Sequence, residues 1–421
     1  MTIFELLTAL LSGFLAVGGL VLLLARTERG TGLRAFLSRT LERLTGRADL
    51  GWLSWWHVTA LVAIALAGVM GYDLATGLYN CPATGAPSDL VGFFAQGRAL
   101  WTGGNPFNVP DCGTMISEPD GLAAVLINGV GSLGGFGGVA LVWGAIALSL
   151  VPLTWWVAGP DRRYVTLIVT TSVLYFPLVS GQIDGASNAL VPVAVLLTLL
   201  LVPKGEVRAT GFAGFLATQR FPTLFPVLGL SGSLRKKYAA AVAAIVVFAA
   251  GTGISYLLWR SEFLGTVFFA QITRRSFSLN LWGVFLFGSG LPSSNDIAIA
   301  QAISTLALVG VVFFTVRSPL RAAAITLTGV ALLTQFLSFN ILVWLLPVAL
   351  VGARPRWWLW GVAAVGAVNY DFALHLAAQG LDWPSQLLDV VLTAILLGLF
   401  VDLWRSRDVP LSPRTESATP S

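Results

Sequence analysis

Apolar residues in this chain occur in long, nearly unbroken runs separated by short polar segments. Runs such as Ile3–Leu24, Trp55–Ala75 and Tyr238–Trp259 have the length of roughly 20 residues that a helix needs to cross a bilayer. Because backbone polar groups in lipid must be satisfied within the segment, these runs predict transmembrane helices. The pattern over the whole chain predicts an all-α polytopic membrane protein, a bundle of about 11–13 transmembrane helices.

The polar segments predict how the domain is organised. Residues 1–404 are predicted to form a single transmembrane domain. Within it, residues 76–138 are expected to be a first extracytoplasmic loop with interfacial helices, and residues 260–296 a second large extracytoplasmic segment. Residues 405–421, rich in Pro, Ser and Thr, are expected to be a disordered cytoplasmic tail.

Two apolar stretches contain breaks. Leu122–Val157 is too long for one crossing and includes a Gly-rich stretch, so we expect an interfacial helix followed by a span over Val139–Val157. Ala209–Leu230 has basic residues on both sides, and one full crossing would leave one basic cluster outside. Two half-helices that meet near Arg220 and Pro222 would keep both clusters inside, so we expect a re-entrant hairpin, with a single span as the alternative.

Composition and charge exclude soluble proteins. Charged residues make up 11% of the chain, against about 25% in soluble domains. The net charge of +5 does not indicate nucleic-acid binding, because all but five of the 25 Lys and Arg residues fall in segments that can be cytoplasmic. The chain is therefore expected in the cell membrane with a cytoplasmic C-terminus. The five remaining basic residues are Arg98, Arg220, Arg260, Arg274 and Arg275.

Ionisable residues near the outer surface are the candidates for chemistry, since charge at a membrane is usually functional. Asp89 precedes a predicted amphipathic helix whose Phe93, Phe94 and Trp101 are expected at the membrane interface. A capping or surface carboxylate is the alternative interpretation of Asp89. Arg98, on the same helix, is expected to hold the loop through Glu118 or Asp120.

Three short motifs follow one another in the chain. The first is Asp89, then a helix and a Gly-Gly-Asn-Pro-Phe turn that ends at Phe107. The second is Ser-Gly-Gln-Ile-Asp over residues 180–184, and the third is Ala-Gly followed by Arg-Phe-Pro over residues 213–222. Together they resemble glycosyltransferases of the GT-C superfamily, in particular glycosyltransferase family 87, over about residues 85–235. Asp184 stands where that family usually has Asn, and Arg220 where it usually has Lys.

The resemblance implies a GT-C-like bundle of transmembrane helices, and it implies a function. The family transfers a sugar from a polyprenyl-phosphate donor on the extracytoplasmic face, which implies an inverting transferase with Asp89 as general base. The sugar would be of the mannose or arabinofuranose class, and the acceptor a cell-envelope glycolipid or polysaccharide. A multi-span lipid or solute transporter or flippase is the alternative function, and a non-catalytic scaffold is a third.

Further residues are candidates for binding the substrates. Arginine suits bidentate contact with phosphate, so Arg274 or Arg275, followed by Asn280, is expected to bind the donor phosphate. Binding of lipid headgroups is the alternative for these arginines. The motifs add Arg220, Gln182 and Asp184, and His375 could touch an acceptor sugar, while Trp101 and Trp282 could stack on a sugar ring.

The remaining expectations concern the cysteines and metals. Cys81 and Cys112, the only cysteines, lie in the same predicted outer loop, where a disulfide would stabilise the fold by roughly 3 kcal/mol; two free thiols are the alternative. No His or Cys metal pattern occurs. The resemblance implies no cofactor and no essential metal, although Glu118 with Asp120 could hold a divalent cation.

Overall fold

The computed structural model describes residues 88–109, 121–157, 189–201, 206–218, 221–230, 233–264, 294–334 and 383–406, together with a few single positions. Over these residues the chain is helical and contains no strand, which confirms the all-α class. The helices are α1 (Ser88–Thr102), α2 (Leu122–Ser132), α3 (Gly135–Val157), α4 (Leu190–Leu201), α5 (Glu206–Ala217), α6 (Phe225–Leu228), α7 (Leu234–Leu264), α8 (Ser294–Thr315), α9 (Pro319–Leu333) and α10 (Trp383–Arg405).

Two of the described helices are long and apolar enough to cross a membrane. They are α3 and the part of α7 over Leu234–Arg260. The break expected within 122–157 is confirmed, because α2 ends at Ser132 and α3 begins at Gly135. The number of crossings, and the GT-C type of bundle, stay predictions.

The main hydrophobic core lies between α3, α4, α9 and α10. Its fully buried members include Trp143, Leu150, Leu196, Ile325 and Leu396. α4 is apolar along its whole length, with nine of its 12 residues buried. A helix that is apolar on all sides is surrounded by other protein or by lipid rather than by water.

The segment after α4 folds as a hairpin. α5 runs along α7, and the chain then turns back through a 3₁₀ turn at Phe221–Leu224 and the short helix α6. The hydroxyl of Thr223 donates a hydrogen bond of 3.1 Å to the carbonyl oxygen of Ala213, ten residues earlier. The chain therefore returns along α5, and the predicted break and reversal are confirmed. The position of this hairpin relative to a membrane is a prediction.

The tip of the hairpin is fixed by Thr218. Its hydroxyl accepts a hydrogen bond of 3.1 Å from the backbone N–H of Ala123 in the first turn of α2 and donates one of 2.7 Å to the carbonyl of Phe215. Thr218 also lies next to Gly251 of α7. At 1.5 Å per residue, Gly251 lies roughly 21 Å along α7 from Lys237, where the returning arm ends.

The base of the hairpin is held by Lys237. This side chain is fully buried, and its ammonium donates to three backbone carbonyl oxygens, those of Leu228 (3.1 Å), Phe313 (2.9 Å) and Val316 (2.8 Å). The ammonium also lies 5.4 Å from the centre of the Phe313 ring. These carbonyls belong to the ends of α6 and α8, where unpaired carbonyls and the helix dipole favour a cation.

Arg321 makes an equivalent contact at the end of α10. Its Nε donates a hydrogen bond of 3.1 Å to the carbonyl of Leu403, and Nη2 donates to the carbonyl of Trp404. Ser318 caps the N-terminus of α9, where its hydroxyl accepts a hydrogen bond of 3.4 Å from the backbone N–H of Arg321. We call the end of the bundle that holds Lys237 and Arg321 the basic end.

α7 ends its regular course at Arg260. The backbone of Arg260 has φ 46° and ψ −124°, outside the helical region. Such a conformation is costly for a residue with a Cβ. The neighbouring Trp259 and Phe263 are buried against Phe107, and this packing holds the strained residue in place.

The contact of Lys237 generates a stability prediction. Replacing Lys237 with Met leaves three buried carbonyl oxygens without a donor, so we expect a loss of about 3 kcal/mol of stability. The measurement is thermal unfolding of the purified protein in detergent. The matched control is Lys236→Met, because Lys236 is exposed and adjacent in sequence; equal melting temperatures of the two variants would contradict the prediction.

Candidate functional site

Asp89 lies in the first turn of α1. The helix begins at Ser88, and Leu90, the residue after Asp89, is already buried. The helix expected after Asp89 is therefore confirmed. The side chain of Asp89 lies outside what the structure describes, and its role as general base stays a prediction.

α1 is fastened to the two helices that follow it by a buried chain of hydrogen bonds. The amide nitrogen of Asn128 on α2 donates to Oε1 of Gln96 at 2.9 Å, and the indole N–H of Trp143 on α3 donates to Oδ1 of Asn128 at 2.8 Å. All three side chains are fully buried. Because an unpaired amide would be costly here, these bonds fix how α1 lies on α2 and α3.

Close packing at Gly97 reinforces this attachment. A Cβ at this position would clash with the carbonyl oxygen of Asn128 and would lie 2.8 Å from the Cβ of Ser132. Only glycine lets the backbones of α1 and α2 approach so closely. Gln96 and Gly97 together make the middle of α1 the rigid part of the helix that carries Asp89.

The Gly-Gly-Asn-Pro-Phe motif forms the turn that ends α1. Gly103 has a φ of +71°, and the N–H of Gly104 donates to the carbonyl of Ala99 at 2.8 Å, a typical helix end. The side chain of Asn105 accepts a hydrogen bond of 2.9 Å from the N–H of Phe107. Phe107 then packs edge-on against Trp259 and Phe263 at ring distances of 5.3 and 5.2 Å. The motif thus joins α1 to the far end of α7.

The aromatic residues of α1 differ from the sequence-based expectation. Phe93 is 1% exposed and packs on Trp143 at a ring distance of 5.5 Å, so its predicted place at the membrane interface is wrong. Trp101 is 58% exposed, and its indole N–H donates to the carbonyl of Gly129 at 2.7 Å. Arg98 is exposed, and its guanidinium lies 5.9 Å from the centre of the Phe94 ring.

The two parts of the expected site lie against different elements. α1 runs antiparallel to α2, because Gly97 packs beside Ser132 at the end of α2, whereas Phe107, which follows α1, lies in one buried cluster with Val125 near the start of α2. Phe93 and Phe94 pack on Trp143 and Phe136 of α3. The N-terminal half of α1, which includes Asp89, is thus on the α3 side. The hairpin tip at Thr218 is instead at the first turn of α2. The described contacts do not bring these two parts together.

Most other candidates lie outside the residues that the structure describes. They are Cys81, Cys112, Glu118, Asp120, Gln182, Asp184, Arg220, Arg274, Arg275, Asn280, Trp282 and His375. Their roles stay predictions. Thr218 and Phe221, the described residues nearest in sequence to Arg220, are at the turn of the hairpin. Among the described residues, no group of three His, Cys, Asp or Glu side chains could hold a metal ion.

Sequence reasoning missed the residues that fix this region. Gln96 and Asn128 are amides in otherwise apolar segments, which marks each as a side chain that needs a partner but does not identify that partner. Lys237 ends a run of three basic residues and is therefore easily assigned to a solvated cytoplasmic loop, although it is fully buried. Comparison of the chain with protein-family models, with curated proteins and with solved structures finds no match.

The packing at Gly97 can be tested with a matched pair of glycine variants. Gly97→Ala should destabilise the protein by about 1–3 kcal/mol, because the added methyl group overpacks the contact between α1 and α2. Gly144→Ala is the control, since a Cβ on this α3 residue would meet no atom within 4 Å. Thermal unfolding in detergent should show a lower melting temperature for Gly97→Ala alone. A melting temperature equal to that of Gly144→Ala would show that the approach of α1 to α2 is looser than described.

Proposed function

We propose that this chain is an integral membrane glycosyltransferase. It transfers a sugar of the mannose or arabinofuranose class from a polyprenyl-phosphate donor to a cell-envelope glycolipid or polysaccharide on the extracytoplasmic face. The observation that carries the proposal is the position of Asp89 in the first turn of a helix that is locked to its neighbours. Asp89, the helix and the Gly-Gly-Asn-Pro-Phe turn, one of the three motifs on which the resemblance to GT-C enzymes rests, form one continuous structural unit.

The reaction needs one base and one leaving group. Asp89 takes the proton of an acceptor hydroxyl while the hydroxyl oxygen attacks the anomeric carbon of the donor sugar. The bond between that carbon and the phosphate oxygen breaks, polyprenyl phosphate leaves, and the anomeric carbon is inverted. A base on a rigid helix keeps its position relative to the acceptor, and this positioning is a large part of such catalysis.

The leaving phosphate needs hydrogen-bond donors, preferably positively charged ones. We assign this role to Arg274 or Arg275 with Asn280, and to Arg220 near the turn of the hairpin. Gln182 and Asp184 are assigned to substrate binding and His375 to the acceptor sugar. Arg274 and Arg275, in the second predicted outer segment, are the first choice for the donor phosphate, and Arg220 is the second.

The membrane orientation follows from the distribution of charge. The basic end carries Lys237 and Arg321, and Arg405 ends α10 at the same end. Under the positive-inside rule this end faces the cytoplasm. The turn after α1 packs on the last turns of α7, at the opposite end of that helix from Lys237, which supports an extracytoplasmic site.

A transporter or flippase is the second candidate, because the chain has a break between α5 and α6. Transporters use broken helices whose carbonyl ends bind a coupling cation. Here the carbonyl ends of α6 and α8 converge on the ammonium of Lys237. Because a lysine side chain of the protein already occupies this position, these carbonyls are not open to a coupling ion, which favours a fixed bundle over an ion-coupled transporter.

The proposed function predicts a specific loss of transfer. Asp89→Asn removes the base and should lower sugar transfer at least 100-fold. The assay uses proteoliposomes with polyprenyl-phosphate mannose or arabinofuranose, radiolabelled in the sugar, and a cell-envelope lipid and polysaccharide extract as acceptor. Glu206→Gln is the matched control, because Glu206 is also an acid in the first turn of a helix but lies at the start of the hairpin.

Each outcome of this assay separates the candidates. Full transfer by Asp89→Asn would show that Asp89 is not the base. Transfer from neither donor by the unmodified protein, together with movement of labelled lipid across the proteoliposome membrane, would favour the flippase.

A further inference from the structure

A groove runs along the surface between α8 and α10 near the basic end. It has a volume of about 390 Å³ and is lined by Leu308 and Val311 of α8 and by Phe400, Val401 and Trp404 of α10. A second cavity of about 670 Å³ adjoins it at Val401 and Arg405. The groove is long enough to run over at least one turn of each helix.

The walls of this groove are apolar and so is the surface around it. Leu306 is 71% exposed, and Phe314 and Leu397 are each 54% exposed. Such side chains beside an apolar groove would be unfavourable in water and favourable against hydrocarbon. An acyl chain therefore fits the groove better than a polar ligand.

The rim of the groove is positively charged. Arg405, in the last turn of α10, is exposed and lines both cavities. Among the described residues at this end of the bundle, two are acidic, Glu206 and Asp402. Seven are basic: Arg208, Arg235, Lys236, Lys237, Arg317, Arg321 and Arg405. Asp402 lines the adjoining cavity and offsets only part of this charge.

The end of α10 does not repel an anion. The C-terminal carbonyls of a helix normally disfavour negative charge. Here Arg321 donates to the carbonyls of Leu403 and Trp404, so its positive charge offsets part of the negative charge at this end of α10. The guanidinium of Arg405 is then the charge that a ligand at the mouth of the groove would meet.

We propose that this groove binds an acyl chain of an anionic phospholipid from the cytoplasmic leaflet, with the lipid phosphate at Arg405. Anionic lipids are enriched on that side of membranes, and basic sites between transmembrane helices bind their headgroups. The proposal rests on the proposed membrane orientation but not on glycosyl transfer. The lipid is a bound component of the bundle and not a substrate.

The headgroup contact is tested with two phospholipids that have the same acyl chains. The protein is purified in a neutral detergent, mixed with phosphatidylglycerol or phosphatidylcholine, and analysed by native mass spectrometry for bound lipid. Phosphatidylglycerol should bind more tightly than phosphatidylcholine. Arg405→Ala should weaken phosphatidylglycerol binding about fivefold, whereas Arg208→Ala, an exposed arginine at the start of the hairpin, should not change it.

The acyl-chain contact is tested with a second pair of variants. Ala307 lines the groove and is exposed, so Ala307→Trp fills the groove without disturbing the core. This variant should lose the bound phosphatidylglycerol. Ala302→Trp is the control, since Ala302 is an exposed residue of the same helix outside the groove. Thermal unfolding of all four variants without lipid shows that each is folded.

Three results would overturn the proposal. They are equal binding of the two lipids, an unchanged preference for phosphatidylglycerol in Arg405→Ala, and unchanged binding in Ala307→Trp. A dimer in the mass spectrum that Ala307→Trp converts to monomer would show instead that the groove is an interface between two copies. Lipid binding and sugar transfer are measured in separate assays. Unchanged transfer by Asp89→Asn would therefore not contradict the lipid site, and unchanged lipid binding by the groove variants would not contradict the transferase.

Discussion

A buried ammonium group needs hydrogen-bond acceptors, and Lys237 meets this requirement by joining the hairpin to the end of α8. Its three acceptors are the carbonyls of Leu228, Phe313 and Val316. These belong to the returning arm of the hairpin and to the end of α8. One side chain therefore joins the start of α7 to the returning arm of the hairpin, nine residues earlier, and to the end of α8, 76 to 79 residues later. The carbonyls at the helix ends benefit as well, because they have no hydrogen-bond donor within their own helices.

The region around Asp89 uses the same principle with uncharged groups. Gln96, Asn128 and Trp143 satisfy one another across α1, α2 and α3. Gly97 lets the first two helices approach closely enough for the contact. The turn at Asn105 then leads Phe107 into a cluster at the end of α7. The middle and the end of α1 are both held, so the position of its first turn is determined by the rest of the helix.

The sequence predicted the elements of this fold better than their contacts. The runs of apolar residues predicted the helical class, and the basic residues on both sides of Ala209–Leu230 predicted the hairpin that the bond between Thr223 and Ala213 confirms. The contact between Gln96 and Asn128 could not be predicted, because the two residues are 32 positions apart and nothing local pairs them. Phe93 was assigned to the wrong surface, since an amphipathic pattern does not distinguish lipid from a neighbouring helix. The role of Asp89 rests on its motif and stays a prediction.

The contact of Lys237 also has a consequence for how the protein is made. Phe313 and Val316 follow Lys237 by 76 and 79 residues, so their carbonyls do not exist when α7 leaves the ribosome. At 5–20 residues per second, the wait is roughly 4 to 16 seconds. During this time Lys237 has no access to two of its three acceptors. Burial of this ammonium is therefore a late step of folding, completed only after α8 has been synthesised.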